Sequence, residues 1–308
     1  MSSKDCELRI LKKQIIDGII PIISTPINSK GNIVFEDLER QVEWLISSGV
    51  NGVGIAVASE IFKFNEKEKD SILKNVVKTN NGRVTVVMNT GGESTDLTIY
   101  NSEKAKDLGA NSLMIRPTSF WSYPYSEHFN YFIDIANAVD LPIFLQDQPT
   151  APVTPKMAVE LANKHDNLAY VKVETPPTMP RVHETKLLDK KNKVTIFGGA
   201  GGAFAIEEFS RGSVGTMPHP ILPEMFVKIW KEYKLGKIES AKIEHQKYSE
   251  LTKILSQALG LAPWLYKYIL VRRGIFTKGS DNAKLPSLRP DKEQYYEVDS
   301  ILERLELV

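Results

Sequence analysis

Two charged residues, Lys172 and Glu174, interrupt an otherwise apolar run that begins at Tyr170. Side chains of a strand alternate between its two faces, so Lys172 and Glu174 share one face. Burying an unpaired charge costs several kcal/mol unless the charge finds a partner. A lysine within a buried strand therefore needs a chemical reason, and Schiff-base formation is one.

The amine of Lys172 can condense with a ketone to give an iminium, which draws electrons from a bond at the neighbouring carbon. Glu174 lies one layer nearer the end of the strand, where its carboxylate could move a proton at the third or fourth carbon of a substrate. The alternative is an ion pair between Lys172 and Glu174 that only closes the end of the fold. The two residues by themselves leave both interpretations open.

The pattern of apolar residues predicts the elements that must position this pair. Stretches with the spacing of amphipathic helices separate short apolar runs. Alternation of this kind over about 200 residues predicts a closed parallel (β/α)8 TIM barrel of the α/β class, with a doubly wound open sheet as the alternative. The barrel is predicted for residues 15–221 and a helical extension for residues 222–308. Eight runs are predicted strands: 19–24, 52–56, 84–88, 112–115, 142–146, 170–173, 194–197 and 213–216.

In such barrels the site is built from the C-terminal ends of the strands and the loops that follow them. The glycine run 198–202 lies at such an end, but it lacks the last glycine of a dinucleotide-binding fingerprint and follows the seventh strand, not the first. We expect it to offer backbone N–H groups to substrate oxygens, or to form a tight turn only. Lys172, Glu174 and Gln146 are the candidate catalytic residues. The candidate substrate-binding residues are Ala58, Ser59, Glu60, Asp147, Gly199 and Thr216.

Composition narrows the class of protein. The formal net charge of +1 over 308 residues comes without a dense Lys/Arg stripe, so neither nucleic acid nor a membrane is an expected partner. The single cysteine, Cys6, excludes an internal disulfide framework, and the five histidines lack metal-ligand spacing. We expect no metal and no cofactor other than the covalent Schiff base. Residues 1–13 lack the apolar core of a signal peptide, which predicts a cytoplasmic protein.

From residue 18 to about residue 274 the chain resembles the dihydrodipicolinate synthase and N-acetylneuraminate lyase family, whose members are barrels with a helical C-terminal extension. In that family a lysine of the sixth strand forms the Schiff base, and Lys172 holds that position. Members carry a Gly-Thr-Thr-Gly-Glu type of loop that binds the carboxylate of a 2-keto acid. The matching stretch here is 56–60, which reads Ala-Val-Ala-Ser-Glu.

The sequence departs from the synthase pattern at the positions that relay protons. Val57 and Ala58 replace the threonine pair, and Gln146 stands where members carry the tyrosine that shuttles protons. The arginine that a synthase uses for its second substrate aligns near Ala151. Three motifs together resemble the sugar-acid dehydratase branch, particularly the 2-keto-3-deoxy-L-arabonate dehydratases. They are Ser-Glu after strand two, Gln-Asp-x-Pro after strand five and Lys-x-Glu-Thr-Pro after strand six.

The resemblance implies dehydration of a small-molecule 2-keto-3-deoxy sugar acid on Lys172, with proton transfer by Glu174. One alternative is a pyruvate-dependent aldolase or a synthase-like condensation, in which Tyr123 or Tyr125 supplies the missing phenol. A further alternative is a non-catalytic paralogue that binds a keto acid. The resemblance also implies a homo-oligomer, either a tetramer or a dimer.

Overall fold

A computed structural model describes residues 16–258 and 260–308, and the predictions for residues 1–13, including Cys6, lie outside them. Within the described residues, one sheet contains the strands β1 Gly18–Ile19, β2 Gly52–Ile55, β3 Thr85–Asn89, β4 Ser112–Ile115, β5 Ile143–Gln146, β6 Tyr170–Val173, β7 Thr195–Gly198 and β8 Gly215–Thr216. The predicted first strand, 19–24, is shorter because Pro21 has no N–H for the ladder.

All strand pairs are parallel, and the strands follow the order β1-β8-β7-β6-β5-β4-β3-β2. The two ends of this order meet where Ile22 pairs in parallel with Gly54, and the Ile23 N–H donates to the Gly54 carbonyl at 2.9 Å. The sheet therefore closes on itself. The predicted (β/α)8 barrel is confirmed, and the open doubly wound sheet is wrong.

A helix follows each strand, and further helices follow the eighth. One of these helices begins directly after Thr154, whose hydroxyl accepts the Met157 N–H at 3.2 Å. In chain order the helices are α1 Phe35–Ser47, α2 Glu66–Asn80, α3 Thr95–Asp107, α4 Tyr125–Ala138, α5 Pro155–Lys164, α6 Thr178–Leu188, α7 Ala205–Phe209, α8 Pro223–Lys234, α9 Ile238–Lys247, α10 Ser249–Leu255, α11 Ala262–Arg272 and α12 Lys292–Arg304.

The helix α8 packs against β1, so it completes the ring of helices around the barrel. The helices from α9 onward form the extension, and α11 contacts the loop after β2. The predicted boundary between barrel and extension at residues 221 and 222 stays a prediction. Among the described helices, none is both long and apolar enough to span a bilayer.

The alternation of side chains along the strands divides the apolar residues into two groups. One group fills the space between sheet and helices, and the other fills the barrel interior. Inside the barrel, the ring of Phe144 lies 4.8 Å from that of Tyr170 and 5.2 Å from that of Phe197, measured between centroids. This aromatic layer forms the floor beneath the next inward-facing residues of β5 and β6, which are Gln146 and Lys172.

Candidate active site

Lys172, Glu174 and Gln146 meet at the C-terminal end of the barrel. The Lys172 Nζ atom lies 3.2 Å from the Glu174 Oε2 atom, and the Gln146 side-chain amide donates to that same oxygen at 2.8 Å. The parallel register of β5 and β6 pairs Gln146 directly with Lys172. The expected shared face of Lys172 and Glu174 is therefore present, and the lysine is 4% exposed.

The glycine loop after β7 holds Glu174 from its other side. The backbone N–H of Ala200 donates to the Glu174 Oε1 atom at 3.3 Å. A Cβ at Gly199 would lie 2.7 Å from the Val173 carbonyl oxygen and 3.0 Å from the Glu174 Cβ, so no larger residue fits there. Gly199 thus contacts Glu174, and the loop gives the carboxylate a fixed position.

A cavity of ≈160 Å³ opens above this group. Lys172 and Glu174 form one part of its wall, and the loop after β2 forms another through Val57, Ala58 and Glu60. The backbone N–H groups of Val57 and Ala58 make no hydrogen bond to any residue in the described ranges. Further lining residues include Ile22, Lys63, Gln148, Met217, His219 and Tyr266.

Two predicted binding residues, Ser59 and Thr216, do not line this cavity. The Ser59 hydroxyl donates to the Ile23 carbonyl at 2.6 Å and accepts the Ala56 N–H at 3.2 Å, so it ties the loop after β2 to the segment after β1. Thr216 follows the inward-facing Gly215, and the strand alternation turns its side chain out of the barrel toward the helices. The structure does not bring either hydroxyl to Lys172.

Asp147 is fully engaged in protein contacts beside the site. Both of its oxygens accept from the Arg181 guanidinium at 3.0 Å, and one also accepts the Thr175 hydroxyl at 2.7 Å. Its carboxylate therefore ties the loop after β5 to the loop that follows Glu174. This contact positions the catalytic candidates and leaves Asp147 little capacity for a substrate.

Glu60 lines the cavity but is ion-paired on its other side. Its Oε2 atom lies 2.6 Å from the buried Nζ atom of Lys267 in α11, and its Oε1 atom accepts from Lys63 at 3.2 Å. Burial lowers the pKa of Lys267, and the Glu60 charge partly offsets this effect. Glu60 also has φ 59°, a left-handed conformation that these contacts hold in place.

The two tyrosines expected to replace the missing phenol lie elsewhere. Tyr123 and Tyr125 are 45% and 41% exposed, neither lines the cavity, and the Tyr125 hydroxyl donates to Glu160. The cavity instead contains Tyr266 of α11 and His219 of the loop after β8, which sequence reasoning missed. The rule of strand ends could have found His219, but nothing in the spacing of the extension indicated Tyr266.

Burial keeps both of these residues uncharged. It lowers the pKa of His219 to about 3, and burial together with the Glu174 charge raises the pKa of Tyr266. Among the described residues, no group of three or more His, Cys, Asp or Glu side chains is arranged to hold a metal ion. The predicted lack of a metal or cofactor stays a prediction.

A closed (β/α)8 barrel with a buried lysine at the end of β6 defines the fold and the candidate site, and comparison with protein families identifies the family. Residues 15–305 match the model of the dihydrodipicolinate synthetase family. The chain belongs to that family, and it is accordingly an enzyme of the lyase type.

Relatives within the family differ in activity. A 4-hydroxy-tetrahydrodipicolinate synthase of Methanococcus vannielii is 29% identical over 78% of this chain and 83% of its own length. An L-2-keto-3-deoxyarabonate dehydratase of Azospirillum brasilense is 24% identical over 89% of this chain and 90% of its own length.

Solved structures show the same fold. A crystal structure of a dihydrodipicolinate synthase matches with a TM-score of 0.86 and 26% identity, covering 95% of this chain and 100% of that one. The structure of YagE, a prophage protein from E. coli K12 in complex with pyruvate, matches with a TM-score of 0.88 and 21% identity, covering 96% and 100%. The similarities establish the family and leave the substrate open.

Proposed function

We propose that this lyase dehydrates a 2-keto-3-deoxy sugar acid through a Schiff base on Lys172. The observation that carries the proposal is the contact of Lys172 with Glu174 and Gln146 in a cavity where the hydroxyls of a synthase are replaced. The group offers an amine nucleophile, one carboxylate that can move protons and one amide that can orient the substrate.

The proposed reaction begins when the Lys172 amine attacks the C2 carbonyl and water leaves to form an iminium. The Glu174 carboxylate then removes a proton from C3, and the electron pair moves to give an enamine. The enamine expels the C4 hydroxyl, which takes a proton from Glu174 and departs as water. Hydrolysis of the remaining iminium releases the dehydrated keto acid and restores the amine, so the net change is loss of one water.

The substrate carboxylate would bind at the loop after β2. The backbone N–H groups of Val57 and Ala58 are not used by the described residues, and both residues line the cavity. Several hydrogen bonds to one carboxylate add up when they are charge-assisted. The expected site for the carboxylate combined Ser59 with neighbouring backbone N–H groups, and this assignment keeps only the N–H groups.

Dehydration is favoured over synthesis by what the cavity lacks. Val57, Ala58 and Gln146 offer no hydroxyl where a synthase carries its proton relay, and Ala151 offers no guanidinium for a second carboxylate. One relative in the comparisons is named as a dehydratase of a keto-deoxy sugar acid, which is consistent with the proposal. Another is named as a synthase, and this keeps an aldol-type reaction as the alternative.

The test is borohydride reduction in the presence of pyruvate or of 2-keto-3-deoxypentonate, followed by mass mapping of the modified peptide. We expect both to be trapped on Lys172, and the sugar acid to be trapped in part as an adduct lighter by one water. The Lys172→Arg variant is expected to trap neither, because a guanidinium is not a nucleophile of this kind.

Lys63→Arg is the matched control, since Lys63 lines the same cavity and is expected to leave trapping on Lys172 intact. Free pyruvate among the products of the sugar acid would favour the aldolase. An absence of any adduct in the parent protein would favour the non-catalytic paralogue and overturn the proposal.

The proposal extends to assembly and location. We infer a homo-oligomer in the cytoplasm with no cofactor beyond the Schiff base. Phe120 and Trp121 are 77% and 66% exposed on the loop after β4, and large exposed aromatic side chains are typical of protein interfaces. Light scattering coupled to size-exclusion chromatography tests the oligomeric state, and a monomer at micromolar concentration would contradict it.

A further inference from the structure

His219 and Tyr266 form a polar part of the cavity wall that the proposed mechanism does not use. His219 comes from the loop after β8 and Tyr266 from α11, and their ring centroids lie 5.6 Å apart. Both line the cavity that contains Lys172 and Glu174. The glycine loop after β7 lies beside both, since a Cβ at Gly201 would be 3.7 Å from the His219 ring and 3.7 Å from the Tyr266 hydroxyl.

Neither side chain has a hydrogen-bond partner within the described part of the chain. His219 is 2% exposed, and both of its ring nitrogens are without a partner. The Tyr266 hydroxyl makes no hydrogen bond to any described residue, and the residue is buried, at 7% exposed, where it lines the cavity. Buried polar groups are nearly always satisfied, so unpaired groups that line a cavity indicate a ligand.

The two groups are also uncharged at any pH at which the enzyme would work. A neutral imidazole offers one donor and one acceptor, and a phenol offers a donor and an acceptor. Such groups match the hydroxyl groups of a substrate. They cannot compensate a carboxylate, a phosphate or an ammonium group that has been taken out of water.

Lys63 also lines the cavity, but its protons are already used. Its Nζ atom donates to Glu60 at 3.2 Å and to the carbonyls of Lys284 and Pro286 at 2.8 Å. A second carboxylate on the substrate would therefore find no free N–H group on Lys63.

We propose that His219 and Tyr266 bind the hydroxyl groups at the end of the substrate remote from its 2-keto group. The enzyme then selects 2-keto acids with an uncharged hydroxylated tail and rejects those that carry a second charged group. This inference rests on the proposed Schiff-base site, because the keto group must bind at Lys172 for the tail to reach this wall. It adds the substrate class and two specificity residues.

A pair of five-carbon keto acids isolates the effect of the tail. In the full chain, we would measure the concentration that gives half-maximal borohydride trapping for 5-hydroxy-2-oxopentanoate, for 2-oxoglutarate and for pyruvate. The first two differ only at the fifth carbon, which is a hydroxymethyl group in the first acid and a carboxylate in the second. We expect the hydroxy acid to be trapped at least tenfold more readily than 2-oxoglutarate. Equal trapping of the two would overturn the inference.

Tyr266→Phe removes one hydroxyl and keeps the ring. We expect it to raise the half-saturating concentration of 5-hydroxy-2-oxopentanoate about tenfold, the loss of one hydrogen bond, while pyruvate changes less than twofold. His219→Leu should act in the same direction, and His219→Gln, which keeps a donor and an acceptor, should recover part of the loss. Tyr268→Phe is the matched control, because its hydroxyl donates to Asp299 outside the cavity.

The outcomes separate this inference from the proposed function. If the parent protein traps no keto acid on Lys172, the proposed function itself is wrong. If the parent protein traps pyruvate but the Tyr266→Phe variant traps all three acids as the parent does, only this inference is overturned. Equal losses for pyruvate and the hydroxy acid would show that Tyr266 supports the fold and does not select the tail.

Discussion

The substitution Glu208→Gln tests the electrostatics of the barrel wall most directly. Glu208 lies on α7 with no exposed surface, and neither of its oxygens makes a well-formed hydrogen bond to a described residue. Burial raises the pKa of this carboxyl to about 8, with smaller contributions from the charges of Glu207 and Glu174 and partial relief from the Thr178 hydroxyl. Glutamine has the same shape and stays neutral at every pH.

The pKa shift gives the expected magnitude. Between pH 4.5 and about pH 8 the folded protein keeps a proton on Glu208 that the unfolded chain has released. The free energy of unfolding is therefore highest below pH 4.5 and falls as the pH rises toward 8. At about 1.4 kcal/mol per pH unit, the loss is about 3 kcal/mol at pH 7 and about 5 kcal/mol above pH 8. Glu208→Gln does not have this loss.

The assay is urea denaturation of both proteins at the same concentration, followed by tryptophan fluorescence from pH 5 to pH 9. We expect the free energy of unfolding of the variant to exceed that of the parent by a margin that grows through this range and then levels off. The corresponding difference in melting temperature at pH 7 is about 5 °C for a chain of this length. Trapping of pyruvate on Lys172 should be unchanged at pH 7, because Glu208 is already neutral there.

Glu207→Gln is the matched control, since Glu207 is the exposed neighbour of Glu208 on the same helix. Its difference from the parent should not vary with pH in this way. A margin for Glu208→Gln that is flat from pH 5 to pH 8.5 would refute the reasoning, because the carboxyl would then titrate alike in the folded and unfolded chains.

Two further substitutions test the site and its support. Glu174→Gln should lower kcat for the sugar acid by about 100-fold or more while pyruvate is still trapped, because the amide cannot carry the proton; unchanged turnover in a steady-state assay would exclude Glu174 as the acid–base group. Lys267→Met should destabilise the protein by about 3 kcal/mol in urea denaturation, the low end of the range for breaking a buried ion pair, because Glu60 loses its partner at 2.6 Å and keeps Lys63 at 3.2 Å. The double variant Glu60→Gln/Lys267→Met should recover most of that loss, and equal losses in the single and double variants would contradict this account.

The sequence by itself determined the barrel and the centre of the site. Strand alternation put Lys172 and Glu174 on one face, and the order of apolar runs placed Gln146 at the end of the strand before theirs. These relations are local or follow from the topology of parallel strands, because the period of two and the shared C-terminal end leave little freedom. A single run of sequence is therefore enough to derive them.

Only the tertiary structure decided which neighbouring groups reach the cavity. Thr216 and Ser59 look suitable by position, but Thr216 faces outward and the Ser59 hydroxyl donates to the Ile23 carbonyl in the segment after β1. Asp147 is occupied by Arg181 from a helix 34 residues away in sequence, and Tyr266 enters from the extension. Such contacts join segments that are distant along the chain, and no periodicity fixes how a loop or an appended helix packs across the mouth of a barrel.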